Sequence, residues 1–207
     1  LVIPAAKNLL RDDKRVLRRL IRVREMVAAL LVVVSFRYSI GVFEPLWAPH
    51  MDNLGASTMV ISLSLTGFAL PMLIIARWAG SLSDRYSPRI TSLLSAFATV
   101  PLMASYGWIT AVPVLFIAAM PYGIMEAIQS PGSQAAVSDA APKDDAAAAQ
   151  GLGEAMGSAA SMIGALSAAP LYSWLGAGPA FLIGAITMMG LLTSSWILDP
   201  PSTGRRR

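Results

Sequence analysis

The sequence predicts an all-α membrane protein with six transmembrane helices, and three observations support this fold class. Hydrophobic residues make up 55% of the 207 residues and charged residues 14%, and the mean hydropathy of +0.59 exceeds that of ordinary soluble proteins. Apolar runs such as "MVAALLVVV" lack the alternation of a transmembrane strand. A spanning helix needs about 20 mainly apolar residues, and six windows satisfy this: 26–48, 58–79, 90–106, 112–134, 146–174 and 179–198.

Residues 1–25, ahead of the first window, form a basic segment with eight Lys and Arg residues between Lys7 and Arg24. A cytoplasmic linker beside the membrane is the simpler interpretation. The alternative is an amphipathic helix that lies on the membrane surface and binds lipid or a partner. Its apolar side would carry Val16, Leu17, Leu20 and Ile21.

The first window contains two ionisable residues, Arg37 and Glu44. A charge at the centre of a membrane costs about 2.5–3.5 kcal/mol on insertion scales, so each such residue needs a reason to be there. Two helical turns, or about 10 Å, separate the two positions along one face. We therefore expect both side chains to face a wet cavity or partners on other helices.

Between the second and third windows lies the charged stretch "GSLSDRYSPR", residues 80–89. It separates two stretches that carry almost no charge. In a soluble protein it would be an ordinary surface turn, but here its neighbours are predicted spans.

The fourth window carries a polar stripe at spacings of four, three and four, the positions of one helix face. It consists of Tyr122, Glu126, Gln129 and Ser133. The stripe predicts a cavity wall that hydrogen-bonds a ligand, with Glu126 as a site for a proton or cation. Hydrogen bonding between helices is the alternative.

Small residues follow one face of the fifth window: Gly153, Gly157, Ala160, Gly164 and Ala168. Such a face predicts close packing against another helix. The second possibility is a helix that moves during gating.

The sixth window has no charged residue, and a basic tail at 199–207 follows the bundle of residues 26–198. Fourteen of the 16 Lys and Arg residues lie outside the windows, and none lies in the connectors around "PHMDNLGAS", "YGWITAV" and "SWLGAGP". The positive-inside rule therefore predicts a multi-pass protein of the cell membrane with both termini in the cytoplasm. The net charge of +4 then needs no nucleic acid to explain it.

Three tryptophans lie near the other connectors: Trp47, Trp108 and Trp174. We expect them to anchor the outer membrane–water interface.

The charged stretch resembles the Gly-x-Leu-Ala-Asp-Arg-x-Gly-Arg-Arg loop of the major facilitator superfamily. The matching residues are Gly80, Leu82, Asp84, Arg85 and Arg89, whereas Ser87 and Pro88 stand where the motif has Gly and Arg. "FRYSIGVFEPLWAPHMDNLGAS" is similar to the seventh helix of such transporters, and "APLYSWLGAGPAFLIGAI" to the junction of their last two helices.

This resemblance, which covers residues 26–198, implies the C-terminal six-helix half of a transporter, made of two inverted three-helix repeats. It also implies that substrate binds between two halves. The chain should therefore either pair with an N-terminal half or a second copy, or be a fragment of a longer protein. The charged loop would be a gate in which Asp84 meets a helix N-terminus and an arginine.

The function we expect is secondary active transport of a small molecule, in the form of proton-coupled efflux of the drug-efflux-like branch. Import of a sugar, an organic acid or another metabolite is one alternative, and a transport-inactive membrane scaffold is another. The chain has no cysteine, a single histidine and no nucleophile-elbow or zinc-protease motif, so we expect no enzyme, metal site or cofactor.

Overall fold

The computed structural model describes residues 15–200, except for the side chains of residues 68, 69, 72, 76, 79, 80, 83 and 84. Six long helices and a short 3-10 helix at Lys143–Asp145 make up most of this part, which contains no strand. The helices are α1 (Arg24–Asn53), α2 (Thr58–Tyr86), α3 (Pro88–Tyr106), α4 (Val112–Ala140), α5 (Ala146–Leu175) and α6 (Ala177–Leu198).

Each helix contains one of the six predicted windows, apart from small differences at the ends, and most extend beyond their window. Among the described residues, three helices are long and apolar enough to cross a membrane: α1, α4 and α6. A multi-pass membrane protein is therefore supported, while six crossings and the inverted-repeat arrangement remain predictions.

Helix α1 is the centre of the bundle and packs most extensively against α5 and α6, while α4 packs against α3 and α2. The contact between α1 and α5 depends on glycine residues. A Cβ on Gly164 would lie 2.7 Å from the carbonyl oxygen of Tyr38, and a Cβ on Gly41 would collide with the carbonyl oxygen of Ser161. The two backbones can approach this closely only because no side chain lies between them.

An aromatic cluster fills the core toward the C-terminal end of α1. Phe43 and Trp47 have ring centroids 4.8 Å apart, and Tyr106 meets Trp47 edge-on at 5.8 Å. Trp47 is 1% exposed, and its Nε1 donates to Ser64 Oγ at 2.8 Å. The prediction of a membrane-anchoring role thus fails for Trp47, although Trp108 and Trp174 are 63% and 81% exposed.

Single residues join α2 to α3 and α5 to α6. The second link is Gly176, with φ of 84°, and the first is Ser87, with φ of 105°. Ser87 has the only positive φ of a non-glycine residue in the described part of the chain. A direct reversal between two helices needs such a conformation, which glycine adopts freely and L-residues with a Cβ adopt at a cost.

Candidate functional site

Arg37 is ion-paired with α5. Its Nη2 donates to Glu154 Oε2 at 2.6 Å, and the two side chains are 36% and 49% exposed. Gly157, one turn along α5, makes room for the arginine, because a Cβ there would lie 2.7 Å from Arg37 Cγ. The expected partner on another helix is therefore Glu154. Glu154 is not among the site residues that the sequence predicts.

Glu44 and Glu126 lie near this ion pair. Glu44 is exposed on α1, and Glu126 is partly buried on α4. The charges of Glu44 and Arg37 both act on Glu126. Among the described residues, Glu126 forms no ion pair, and Arg37 is paired with Glu154. The fold thus gathers four ionisable side chains from α1, α4 and α5 into one electrostatically connected group.

The other members of the polar stripe on α4 face the interior of the bundle. Tyr122 is 1% exposed, stacks on Phe43 with ring centroids 4.9 Å apart, and its hydroxyl lies 3.1 Å from Ser39 Oγ. Ser133 Oγ donates to the Ser130 carbonyl oxygen at 3.0 Å. The contact of Tyr122 with Ser39 joins α4 to α1, as expected of polar groups between packed helices, whereas the Ser133 bond lies within α4.

Gln129 differs from its neighbours on the stripe. It is 1% exposed, and within residues 15–200 its Nε2 has no hydrogen-bond partner. A buried amide donor without a partner costs free energy. Of the four stripe residues, only Glu126 is partly accessible.

The hollow beside the Arg37–Glu154 pair is too small for a substrate. Its volume is about 10 Å³, about the space that one water molecule needs. Its polar lining comes from α1, α4 and α5: Arg37, Ser130, Ser133, Gln134, Gln150 and Glu154. A ligand at this group of residues would need a second wall that the described residues do not supply.

Most of the charged stretch at residues 80–89 is helical, because α2 continues through Leu82 and Arg85 to Tyr86. Leu82 is partly buried, and the Arg85 guanidinium lies 5.6 Å from the centre of the Tyr86 ring. The side chains of Gly80 and Asp84 lie outside the described residues, so the expected contact of Asp84 stays a prediction.

Arg89 joins the start of α3 to the end of α6. It forms an ion pair with the Asp199 carboxylate, donates to the Asp199 carbonyl oxygen, and its Nη2 lies 3.5 Å from the Ser195 carbonyl oxygen. Both side chains of the pair are largely buried. Arg89, the last residue of the charged stretch, is thus bonded to a residue of the same bundle.

Gly153, Gly157 and Gly164 are buried on the face of α5 that packs on α1. The approach is loosest at Gly153, where a Cβ would lie 3.8 Å from Leu30 and Val137. Within the described residues, no group of three or more His, Asp or Glu side chains could hold a metal ion.

Comparison with known proteins identifies a family for this chain. The sequence model described as Major Facilitator Superfamily matches residues 29–207. No curated protein and no solved structure matches the chain significantly.

Proposed function

Since this chain belongs to the major facilitator superfamily, a family of membrane transporters of small solutes, we propose that it is one half of a proton-coupled exporter. The observation that carries the proposal is the group formed by Arg37, Glu44, Glu126 and Glu154. Charges at membrane depth are costly, and they are kept where a substrate or ion path needs them.

Glu126 is the carboxylate that we assign to proton coupling. It is partly buried, close to two other charges, and without a direct cationic partner among the described residues. Such a carboxylate can take up a proton in one conformation and release it when its neighbours move. Arg37 holds Glu154, so a substrate or a conformational change that separates this pair would change the charge that acts on Glu126.

A second bundle is needed to complete the site. The polar hollow of this chain has room for about one water, and Glu154, which lines it, is exposed. We propose that an N-terminal half of the same transporter, or a second copy of this chain, supplies the opposite wall. Substrate would then bind between the two bundles.

Export is favoured by the apolar character of the helices, which contain all 11 methionines and few amides. Flexible thioether side chains suit binding surfaces that accept varied apolar molecules. We therefore expect amphipathic or lipophilic cations as substrates.

We also expect Asp84 to take part in the cytoplasmic gate.

The test is transport in inverted membrane vesicles from cells that express the chain together with its partner half. Ethidium, a lipophilic cation, would be followed by fluorescence under an imposed pH gradient. We expect gradient-driven accumulation by the wild type and its loss in Glu126→Gln, with Asp139→Asn, an exposed carboxylate on the same helix, as the matched control.

Three outcomes would contradict the proposal. Accumulation of a sugar or an organic acid in right-side-out vesicles would identify an importer. Absence of gradient-driven transport across a panel of lipophilic cations, sugars and organic acids would favour a membrane scaffold that transports nothing. Equal transport by the wild type and Glu126→Gln at matched expression would make this carboxylate a structural group.

A further inference from the structure

Four arginines ahead of α1 lie on one side of a short helical segment. Residues 15–20 are helical, and backbone hydrogen bonds continue the spiral to Val23. The spacing of the arginines, three, one and three, repeats one face of a helix. They line an open hollow of about 470 Å³, and the described residues of its lining include no carboxylate: Arg15, Arg18, Arg19, Arg22 and Val23.

This segment is docked on the bundle. Leu20 is fully buried in a hydrophobic cluster with residues of α1, α4 and α5. Arg19 Nη1 lies 3.5 Å from Asp145 Oδ2, just ahead of α5. The arginine face is therefore held at a defined place next to the start of α1, where a membrane helix meets the headgroups.

The positive charge of this face is largely uncompensated within the described part of the chain. Arg19 has its ion pair, whereas Arg15, Arg18 and Arg22 are exposed and form no ion pair with another described residue. Like charges at this spacing repel each other. An anion that several guanidinium groups share would remove that repulsion, and phosphate oxygens match the paired donors of a guanidinium.

We propose that the arginine face binds the phosphate headgroup of an anionic phospholipid in the leaflet where α1 begins. A lipid is a better fit than a soluble phosphate because two apolar side chains beside the arginines, Leu17 and Ile21, are 38% and 53% exposed. Acyl chains can cover these while the headgroup occupies the hollow. The proposal depends on the membrane location of the chain and not on its substrate or direction of transport.

The test is lipid binding to the full-length chain, purified in a neutral detergent, by native mass spectrometry. Phosphatidylglycerol and phosphatidylcholine would be titrated separately. We expect the wild type to prefer phosphatidylglycerol, and the triple variant R15Q/R18Q/R22Q to bind it on the order of 100-fold more weakly. Phosphatidylcholine binding should not change. Arg19 is left intact because its ion pair holds the segment to the bundle.

Two triple variants control for charge and shape. R15K/R18K/R22K keeps the charge and should retain most of the phosphatidylglycerol affinity. R205Q/R206Q/R207Q removes the same charge from the basic tail and should retain it as well. If the patch and tail variants lose affinity equally, the binding is non-specific attraction and the proposal is wrong. Unchanged affinity in R15Q/R18Q/R22Q would also overturn it.

A competition experiment separates a lipid site from a phosphate site. Inorganic phosphate should displace phosphatidylglycerol only at large molar excess. Displacement at comparable concentrations would assign the hollow to a soluble anion. If circular dichroism shows that the triple Gln variant has lost helix, the single variant Arg18→Gln replaces it, with an expected weakening of about 5-fold.

Discussion

Replacing Ser87 by glycine should stabilise the protein. Ser87 links α2 directly to α3 with φ of 105° and ψ of 125°, and its side chain makes no capping hydrogen bond to α3. Backbone conformations of this kind cost an L-residue about 1–3 kcal/mol. Glycine removes that cost but makes the unfolded chain more flexible, which offsets about 0.4–1 kcal/mol. A net gain of about 1 kcal/mol remains.

The assay is thermal unfolding of the detergent-purified chain, followed by circular dichroism at a fixed heating rate. For a chain of this size, about 1 kcal/mol corresponds to a rise of roughly 2–4 °C in Tm. Ser87→Ala should leave Tm unchanged, because alanine keeps the Cβ that causes the strain. Ser57→Gly serves as a second control, since Ser57 Oγ accepts a hydrogen bond from the Val60 backbone amide, and it should lower Tm slightly. A Tm of Ser87→Gly at or below that of the wild type would refute the strain argument.

Three further predictions concern packing, gating and topology. Gly164→Ala should destabilise the chain by about 1–3 kcal/mol, because its Cβ meets the backbone of α1, whereas Gly151→Ala, where nothing lies within 4 Å, should not; equal melting curves would contradict the close contact. If Asp84 closes a gate, Asp84→Asn should lower the transport rate while the amount of protein in the membrane stays normal. An unchanged rate would mean that the charged loop serves only as a topology signal. A cysteine at Ala177 should react with an impermeant reagent from outside intact cells and one at Ser87 should not, so labelling at Ser87 would reverse the orientation.

The helices could be predicted from the sequence more accurately than their ends. Hydropathy marks the stretch that lies in hydrocarbon, but the backbone stays helical until a residue breaks it. Helix α2 therefore runs past the predicted limit of residue 79 and ends at Tyr86, just before Ser87. Most of the charged loop that the resemblance implies is thus the last part of a helix.

The sequence predicts the polar stripe of the candidate site, but not the neighbours of its residues and not the part that Glu154 plays. Periodicity placed Tyr122 and Gln129 on the face of Glu126, yet it does not show whether that face meets another helix or a cavity. Packing decides this: Tyr122 stacks on Phe43, and Glu126 lies where cover is incomplete. The partner of Arg37 lies 117 positions away on α5, a separation at which no local pattern operates.

The surroundings of Trp47 also could not be predicted from its position in the sequence. A tryptophan near a predicted connector is expected at the membrane interface. In the fold, the neighbouring Phe43 and Tyr106 enclose it, and Ser64 accepts its indole N–H. An aromatic residue with one polar atom satisfies both environments, so its sequence position alone does not distinguish them.

The contact between Arg89 and Asp199 has a practical consequence for anyone who shortens or tags this protein. Asp199 lies one residue beyond the last helix, where trimming would normally be thought harmless. A chain cut after Leu198 would leave a largely buried guanidinium without its carboxylate, at the place where α3 begins. Fluorescent reporters and purification handles should therefore be joined after Asp199, and a deletion series at the C-terminus should show its abrupt loss of yield at that residue.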